Sequence, residues 1–415
     1  MVAPRKDIKM HGVAQGKVDA YRQLMRNLKY PRSRNLRNLL ELWVTPAEAE
    51  VMVELPAKPE AIAQKLNRDV KTVNEQLEAM FQKGAISERA TPEGGRDYVR
   101  SDVMEGFSDY AGFLFGARYY DEKTREISDP WARKIIDLWV KVYEEDWYKY
   151  EKVDEMLHRK RNMPQMFYFP TLAPAWLALE KSEKLGTEIL PEWDGRVFAK
   201  KADSEGKGIL VRACPCRTRY NRASVKDTCG APLWTCVPAI EGDNYPYGVQ
   251  SRLNLTKKFA AEEWLEHMGR CEQEFGMVHA ARQGGGYTCT CCNECCNWLT
   301  PITRYVAQPS EAVDPGPYRA VVNTDVCEGC TKNCVPRCNF KAIKRVVDGR
   351  ELVSDDVTGR RDPSSRNVKA AVDLVKCTGC GQCVVGCPVE GAIKLELAEK
   401  INAPPPIWAA RMTTP

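Results

Sequence analysis

Every one of the 18 cysteines in this chain of 415 residues falls between Cys214 and Cys387. Length excludes a disulfide-stapled mini-protein, and the residues before Cys214 contain no thiol to pair. The opening MVAPRKDIKM is basic without a following apolar run, so no secretory signal is expected. The longest uncharged stretch, Asn162 to Leu179, is broken by Pro164, Pro170 and Pro174, which argues against a spanning helix. A cytoplasmic chain without a membrane span is therefore expected. In a reducing compartment, clustered thiols bind metal more often than they pair with one another.

The last hundred residues carry an internal repeat. Val321 to Cys330 aligns with Ala371 to Cys380 at an offset of fifty, and Ala342-Ile343-Lys344 aligns with Ala392-Ile393-Lys394. The second copy, Cys377-x2-Cys380-x2-Cys383-x3-Cys387-Pro388, is the bacterial ferredoxin run. In that run three close thiolates hold one cubane and the fourth reaches the other. The first copy, Cys327-x2-Cys330-x3-Cys334-x3-Cys338, has one extra residue in its middle gap and Asn339 in place of proline. The spacing predicts two 4Fe-4S clusters, one on Cys327, Cys330, Cys334 and Cys387, the other on Cys377, Cys380, Cys383 and Cys338. Paired zinc sites also use C-x2-C, but eight cysteines in this order without histidine favour cubanes.

The middle cysteines form a second population. Cys214, Cys216, Cys229 and Cys236 would suffice for one cubane. Cys289, Cys291, Cys292, Cys295 and Cys296 put five thiols within eight residues. These five could bind a further cluster with one thiol to spare, or share ligands with the Cys214 group, giving one or two clusters beyond the ferredoxin pair. Between the two groups a helix is expected from about Thr256 to Phe275. Phe259, Trp264, Met268, Cys271 and Phe275 share its apolar stripe, which makes Cys271 a core thiol rather than a ligand. His279 reads either as a structural residue or as a group that tunes a cluster by hydrogen bonding.

The front half reads differently. Residues 1 to 40 hold ten Lys or Arg against Asp7 and Asp19, a basic helical arm that is either a solvated tail or a docking element. From Thr45 to Arg100 the pattern is winged-helix-like. A helix starts at Pro59 and a second carries Val70, Val73, Leu77, Met80 and Phe81, stopped by Gly84. A two-stranded wing then turns at Thr91 to Gly95. The exposed face of the second helix balances Lys71 and Lys83 against Glu75 and Glu78 and lacks arginine, so nucleic acid is a poor partner. Asp129-Pro130 marks a further helix start, followed by a core face of Ile135, Leu138, Trp139, Val142 and Tyr143. No G-x-G-x-x-G or Walker loop occurs, so no flavin or nicotinamide motif is present.

The order of these motifs resembles anaerobe iron–sulfur proteins with a winged-helix-like front, C-x-C-R, P-L-x-T-C and C-x-C-C segments, and a dicluster ferredoxin domain. The resemblance runs from about residue 45 to 397 and is strongest from Ile209 onward. It departs from the family pattern at Cys291-Cys292-Asn293-Glu294-Cys295-Cys296 and at Met277, where leucine is usual. It implies an electron-transfer subunit that serves a partner oxidoreductase or flavoprotein in a hetero-complex, with no catalytic residue of its own. A redox-responsive DNA-binding regulator and an enzyme with a substrate-binding middle cluster are the alternatives.

The expected fold class is α+β multidomain. It comprises a basic arm (1–44), a winged-helix-like region (45–103), a helical aromatic-rich region (104–208), a cysteine-rich iron–sulfur domain (209–305), a two-cluster ferredoxin domain (306–400) and a tail (401–415). The formal charge of +5 would fall to about −3 with four cubanes at roughly −2 each.

Overall fold

A computed structural model describes residues 19–91, 94–147, 171–221, 229–242, 253–282, 285–330, 333–347, 350–351 and 368–404. Residues 1–18 of the basic arm, Pro92 and Glu93 of the wing turn, 162–170 of the proline-broken stretch, Gly284 and 405–415 of the tail lie outside them. The chain forms two compact units, Met1–Tyr110 and Ala111–Pro415.

The first unit is built on five helices: α1 (Ala20–Asn27), α2 (Arg34–Trp43), α3 (Pro46–Glu54), α4 (Pro59–Leu66) and α5 (Val70–Gln82). Each start is set by local chemistry. Asp19, Ser33, Thr45 and Asp69 accept hydrogen bonds from the first free N–H groups of α1, α2, α3 and α5, and Glu48 completes a capping box with Thr45. After α5, strands β1 (Ser87–Ala90) and β2 (Arg96–Val99) pair antiparallel. The basic arm is neither a solvated nor a loose element over its described part. Leu24, Leu36, Leu39, Leu40 and Trp43 are buried, because their three- and four-residue spacing gives each helix one apolar face. The bases stay outside, where Arg37 pairs with Asp19 and Glu41 at 2.5 Å each.

The division between units falls within α6 (Met104–Tyr119). A short hairpin, β3 (Tyr120–Asp121) with β4 (Glu126–Ile127), leads to α7 (Pro130–Lys141). Asp129 Oδ1 accepts from Ala132 N at 2.8 Å, and Pro130 occupies the first helical position, where no N–H is needed. Asp129→Ala is expected to lower stability by about 1 kcal/mol, seen as a lower thermal midpoint with metal content unchanged.

A six-stranded antiparallel sheet organises the second unit. Its strands are β5 (Thr171–Ala173), β6 (Ile209–Ala213), β7 (Trp234–Ile240), β8 (Thr256–Phe259), β9 (Val278–Arg282) and β10 (Gly285–Cys291), in the order β5-β9-β10-β7-β6-β8. Helices α8 (Trp176–Glu183), α9 (Gly195–Ser204), α10 (Pro215–Tyr220) and α11 (Ala261–Phe275) connect these strands. The helix expected from Thr256 begins only at Ala261, and Thr256–Phe259 is an edge strand along β6 instead. Glu263 sets the start by accepting from Ala260 N at 2.9 Å. Cys271 on α11 is fully buried, as its place on the apolar stripe predicts.

The C-terminal repeat folds by exchange. After α12 (Leu299–Tyr305), strand β11 (Tyr318–Val322) precedes the first cysteine run with α13 (Cys334–Arg337) and β12 (Ile343–Val347). The two-residue β13 (Arg350–Glu351) pairs with β12. The second copy supplies β14 (Val368–Val372), α14 (Gln382–Gly386) and β15 (Ile393–Leu397). β11 pairs with β15 and β12 with β14, so that Val322 faces Ile393 while Val372 faces Ile343. The two copies thus share a pseudo-twofold, and each sheet takes one strand from each copy. Tyr318, Val384 and Leu395 lie in one apolar cluster with Ile209, Trp264 and Met277 of the large sheet and α11.

Candidate metal centres

The exchange of strands brings the repeat's cysteines together across copies. Cys334, at the start of α13, has Cys330, Cys387 and Cys327 around it; burial first, then those three, push its thiol up to about 11. Cys383 on α14 faces Cys377, Cys380 and Cys338, with Cys334 beyond, and burial raises it well above its ordinary value. Burial also pushes Cys380 up to about 12, with Cys338 its nearest thiol contribution. Cys387 therefore acts on the first run and Cys338 on the second. Backbone donors reach the sulfurs: Ala320 N donates to Cys377 Sγ at 3.3 Å and Ala342 N to Cys338 Sγ at 3.2 Å. Such N–H donors favour thiolate over thiol.

Gly329 and Gly379, the third residues of the two C-x-G-C turns, adopt φ of +64° and +79°. A Cβ there would collide with the carbonyl oxygens of Val368 and Tyr318 respectively, positions that correspond under the repeat. Only glycine lets each cysteine loop lie this close to the other copy's strand.

The nine middle thiols regroup in space. Cys229 does not join Cys214, Cys216 and Cys236. Its Sγ lies 3.4 Å from that of Cys292, and Cys292 Sγ lies 3.1 Å from that of Cys295. The other six form a row, in which Cys214 touches Cys216, Cys216 touches Cys296, and Cys296 touches Cys291. Cys291 then touches Cys289, and Cys289 Sγ lies 3.4 Å from Cys236 Sγ. Pairing of β7 with β10 sets that last contact, since Cys236 and Cys289 are direct partners across the ladder. Asn297 N donates to Cys216 Sγ at 3.4 Å and Trp298 Nε1 to Cys291 Sγ at 3.2 Å. Against the cost of burial, hydrogen bonds from Cys216, Cys291 and the backbone of Leu299 and Trp298 bring the Cys296 thiol below its ordinary range.

Three arginines line this region, and all are buried: Arg212 on β6, and Arg217 and Arg219 on α10. Arg212 and Arg219 lie over the rings of Phe113 and Tyr143, at 4.5 and 4.4 Å. Among the described residues, Arg217 Nε and Arg219 Nη2 have no hydrogen-bond partner. Buried cations without a carboxylate partner are costly unless an anion lies beside them. Sulfur donors, N–H groups aimed at sulfur and buried guanidinium groups together fit metal–thiolate centres, which carry net negative charge. The sequence shows Arg217 and Arg219 in the run Cys214-Pro-Cys-Arg-Thr-Arg, but nothing in it shows that both are buried.

His279 serves the structure around the thiols. It is fully buried, with Nε2 2.7 Å from Glu272 Oε1 and Nδ1 3.0 Å from Thr290 Oγ1, and Thr290 stands between Cys289 and Cys291. Glu272 also accepts from Trp176 N and Leu177 N at the start of α8. One buried carboxylate thus ties α11, α8 and the cysteine strand β10 together. Its role escapes sequence reading because the partners lie about a hundred residues apart.

Cys271 stands apart from both sets. Burial pushes its thiol from 9.0 up to about 12. A raised folded pKa gives stability that is whole below the unfolded value and is lost as pH rises through the folded one. Between pH 9.0 and about 12 the chain is expected to lose roughly 1.4 kcal/mol per pH unit from this thiol. Chemical unfolding of Cys271→Ala across that window should show a shallower slope by that amount.

Residues 326–393 match the family model described as a 4Fe-4S dicluster domain. The match takes in all eight cysteines of the repeat and none of those before it. No curated protein and no solved structure matches the chain. Among the described residues, no helix is long and apolar enough to cross a membrane.

Proposed function

We propose that the chain is an electron-transfer subunit, relaying single electrons to or from a partner oxidoreductase or flavoprotein. The observation that supports this reading is that Cys387 lies among the thiols of the first run and Cys338 among those of the second, on the segment that matches a 4Fe-4S dicluster model. Cys327, Cys330, Cys334 and Cys387 would hold one cluster and Cys377, Cys380, Cys383 and Cys338 the other. Such clusters accept and release one electron at a time. The residues around them exclude water, aim backbone N–H groups at sulfur and fix both sets in one rigid body, which keeps reorganisation on charge change small. The six-thiol row from Cys214 to Cys236, lined by Arg217 and Arg219, supplies the ligands of a third centre. The thiols serve here as ligands.

Unit one supplies the docking element in this reading. Its α4, α5 and β1–β2 hairpin follow the winged-helix order, while the exposed face of α5 lacks the cationic balance that DNA requires. Anaerobic co-purification from the native host tests both parts. A redox-active partner that reduces or oxidises the chain is expected, and deletion of residues 1 to 100 should lose that partner while retaining iron and sulfide. A chain free of iron, or one retained on DNA at about 50 mM salt and reduced by no co-purified protein, would contradict the relay.

A further inference from the structure

Cys229, Cys292 and Cys295 form a closed trio, whereas the other six middle thiols form a row. Among the described residues they are the one group of three His, Cys, Asp or Glu side chains whose ligand atoms all lie within 4.8 Å of one another. All three are buried. Tetrahedral coordination at about 2.3 Å per bond puts thiolates roughly 3.8 Å apart around a single ion. Thiolates on the corners of a cubane must stand further apart, because four iron atoms and four sulfides separate them. The spacings of 3.4 and 3.1 Å along the trio belong to the first case. Cys292-Asn293-Glu294-Cys295 is also a C-x2-C pair, the usual half of a mononuclear thiolate site.

Charge gives an independent argument. Arg217 is fully buried, and among the described residues its hydrogen bonds go to Pro232 O, Thr235 Oγ1 at 3.0 Å and Cys292 Sγ at 3.7 Å. None of these is a carboxylate. Three thiolates around a divalent ion leave one negative charge, and one guanidinium cancels it. A trio of neutral thiols would leave the arginine buried without a counter-charge, at a cost of several kcal/mol.

We propose that Cys229, Cys292 and Cys295 hold a single thiophilic divalent ion of the zinc class rather than a cubane, with Arg217 as its buried counter-charge. The ion ties the turn after β10 to the segment that precedes β7, and one corner of its tetrahedron falls to a ligand outside the trio. This rests on the reading that the middle cysteines are metal ligands, but it does not require the electron-relay role.

Iron, zinc and acid-labile sulfide are to be counted in the full-length holoprotein purified anaerobically. Cubanes contribute iron and sulfide equally, so iron plus zinc should exceed sulfide by about one per chain. Cys295→Ala should lose that excess ion with sulfide unchanged. If the variant fails to fold, the ratio in the unaltered protein decides alone. Equal metal and sulfide there, a disulfide within the trio in place of metal, loss of about four sulfides in Cys295→Ala, or an excess that this variant retains would each overturn the assignment. Absence of sulfide with the excess ion present would instead remove the relay reading and leave this one standing.

Discussion

Replacing Cys383 by alanine is expected to remove about four iron and four acid-labile sulfide per chain and to disturb the neighbouring centre. Cys383 is buried, and Cys377, Cys380, Cys338 and Cys334 all lie close enough to act on it. Its loss takes a ligand from one set. Alanine cannot supply a thiolate, and burial leaves no solvent position from which water could substitute readily. Anaerobic iron and sulfide assays, with EPR of the reduced protein, check the result. An unchanged metal count and an unchanged spectrum would refute the ligand scheme. The zinc-class site should keep its ion in this variant, because its trio lies in the other group of thiols.

Gly329→Ala and Gly379→Ala are expected to destabilise the holoprotein by about 2–5 kcal/mol each. The sum comes from roughly 1–2 kcal/mol for a left-handed backbone at a residue with a Cβ, and about 1–3 kcal/mol for forcing that Cβ against a strand. The obstructing atoms are the backbone carbonyls of Val368 and Tyr318, which cannot rotate aside as a side chain can. Gly186 separates the two contributions. It has φ of +81° but nothing within 4 Å of the added Cβ, so Gly186→Ala should show the conformational cost alone. Thermal unfolding of the three variants in parallel, with sulfide content as a second reading, checks the order. Equal effects at all three positions would mean that close approach to the strands contributes nothing.

The repeat was the most legible part of the chain. Its thiols lie a few residues apart and its two copies align, so local spacing alone points to the 4Fe-4S dicluster model that residues 326–393 match. Helices α5 and α7 were legible for similar reasons, since Asp69, Asp129 and Pro130 mark their starts and apolar spacing marks their faces. The middle cysteines were read less well. Cys229 sits seven residues from Cys236 in sequence, yet the fold places it with Cys292 and Cys295. Only the pairing of β7 with β10 fixes which thiols meet, and strand pairing over about fifty residues leaves no local signal. Thr256–Phe259 was mistaken for helix because its apolar residue also fits the stripe of α11, while the edge of β6 that it pairs with lies far upstream. The helices of the arm were legible from its spacing, but the burial of their apolar face was not, because ten cations dominate the composition.

The exchange of strands also bears on how the protein is made. Between the two copies, β11 pairs with β15 and β12 with β14. A nascent chain that has emerged as far as Cys338 has the whole first cysteine run but neither of the strand pairs that close around it. Closure waits for translation to pass Leu397. The exposed thiols of the first copy must be kept reduced during that delay, which makes the interval of synthesis between Cys338 and Leu397 the period in which oxygen can do most harm.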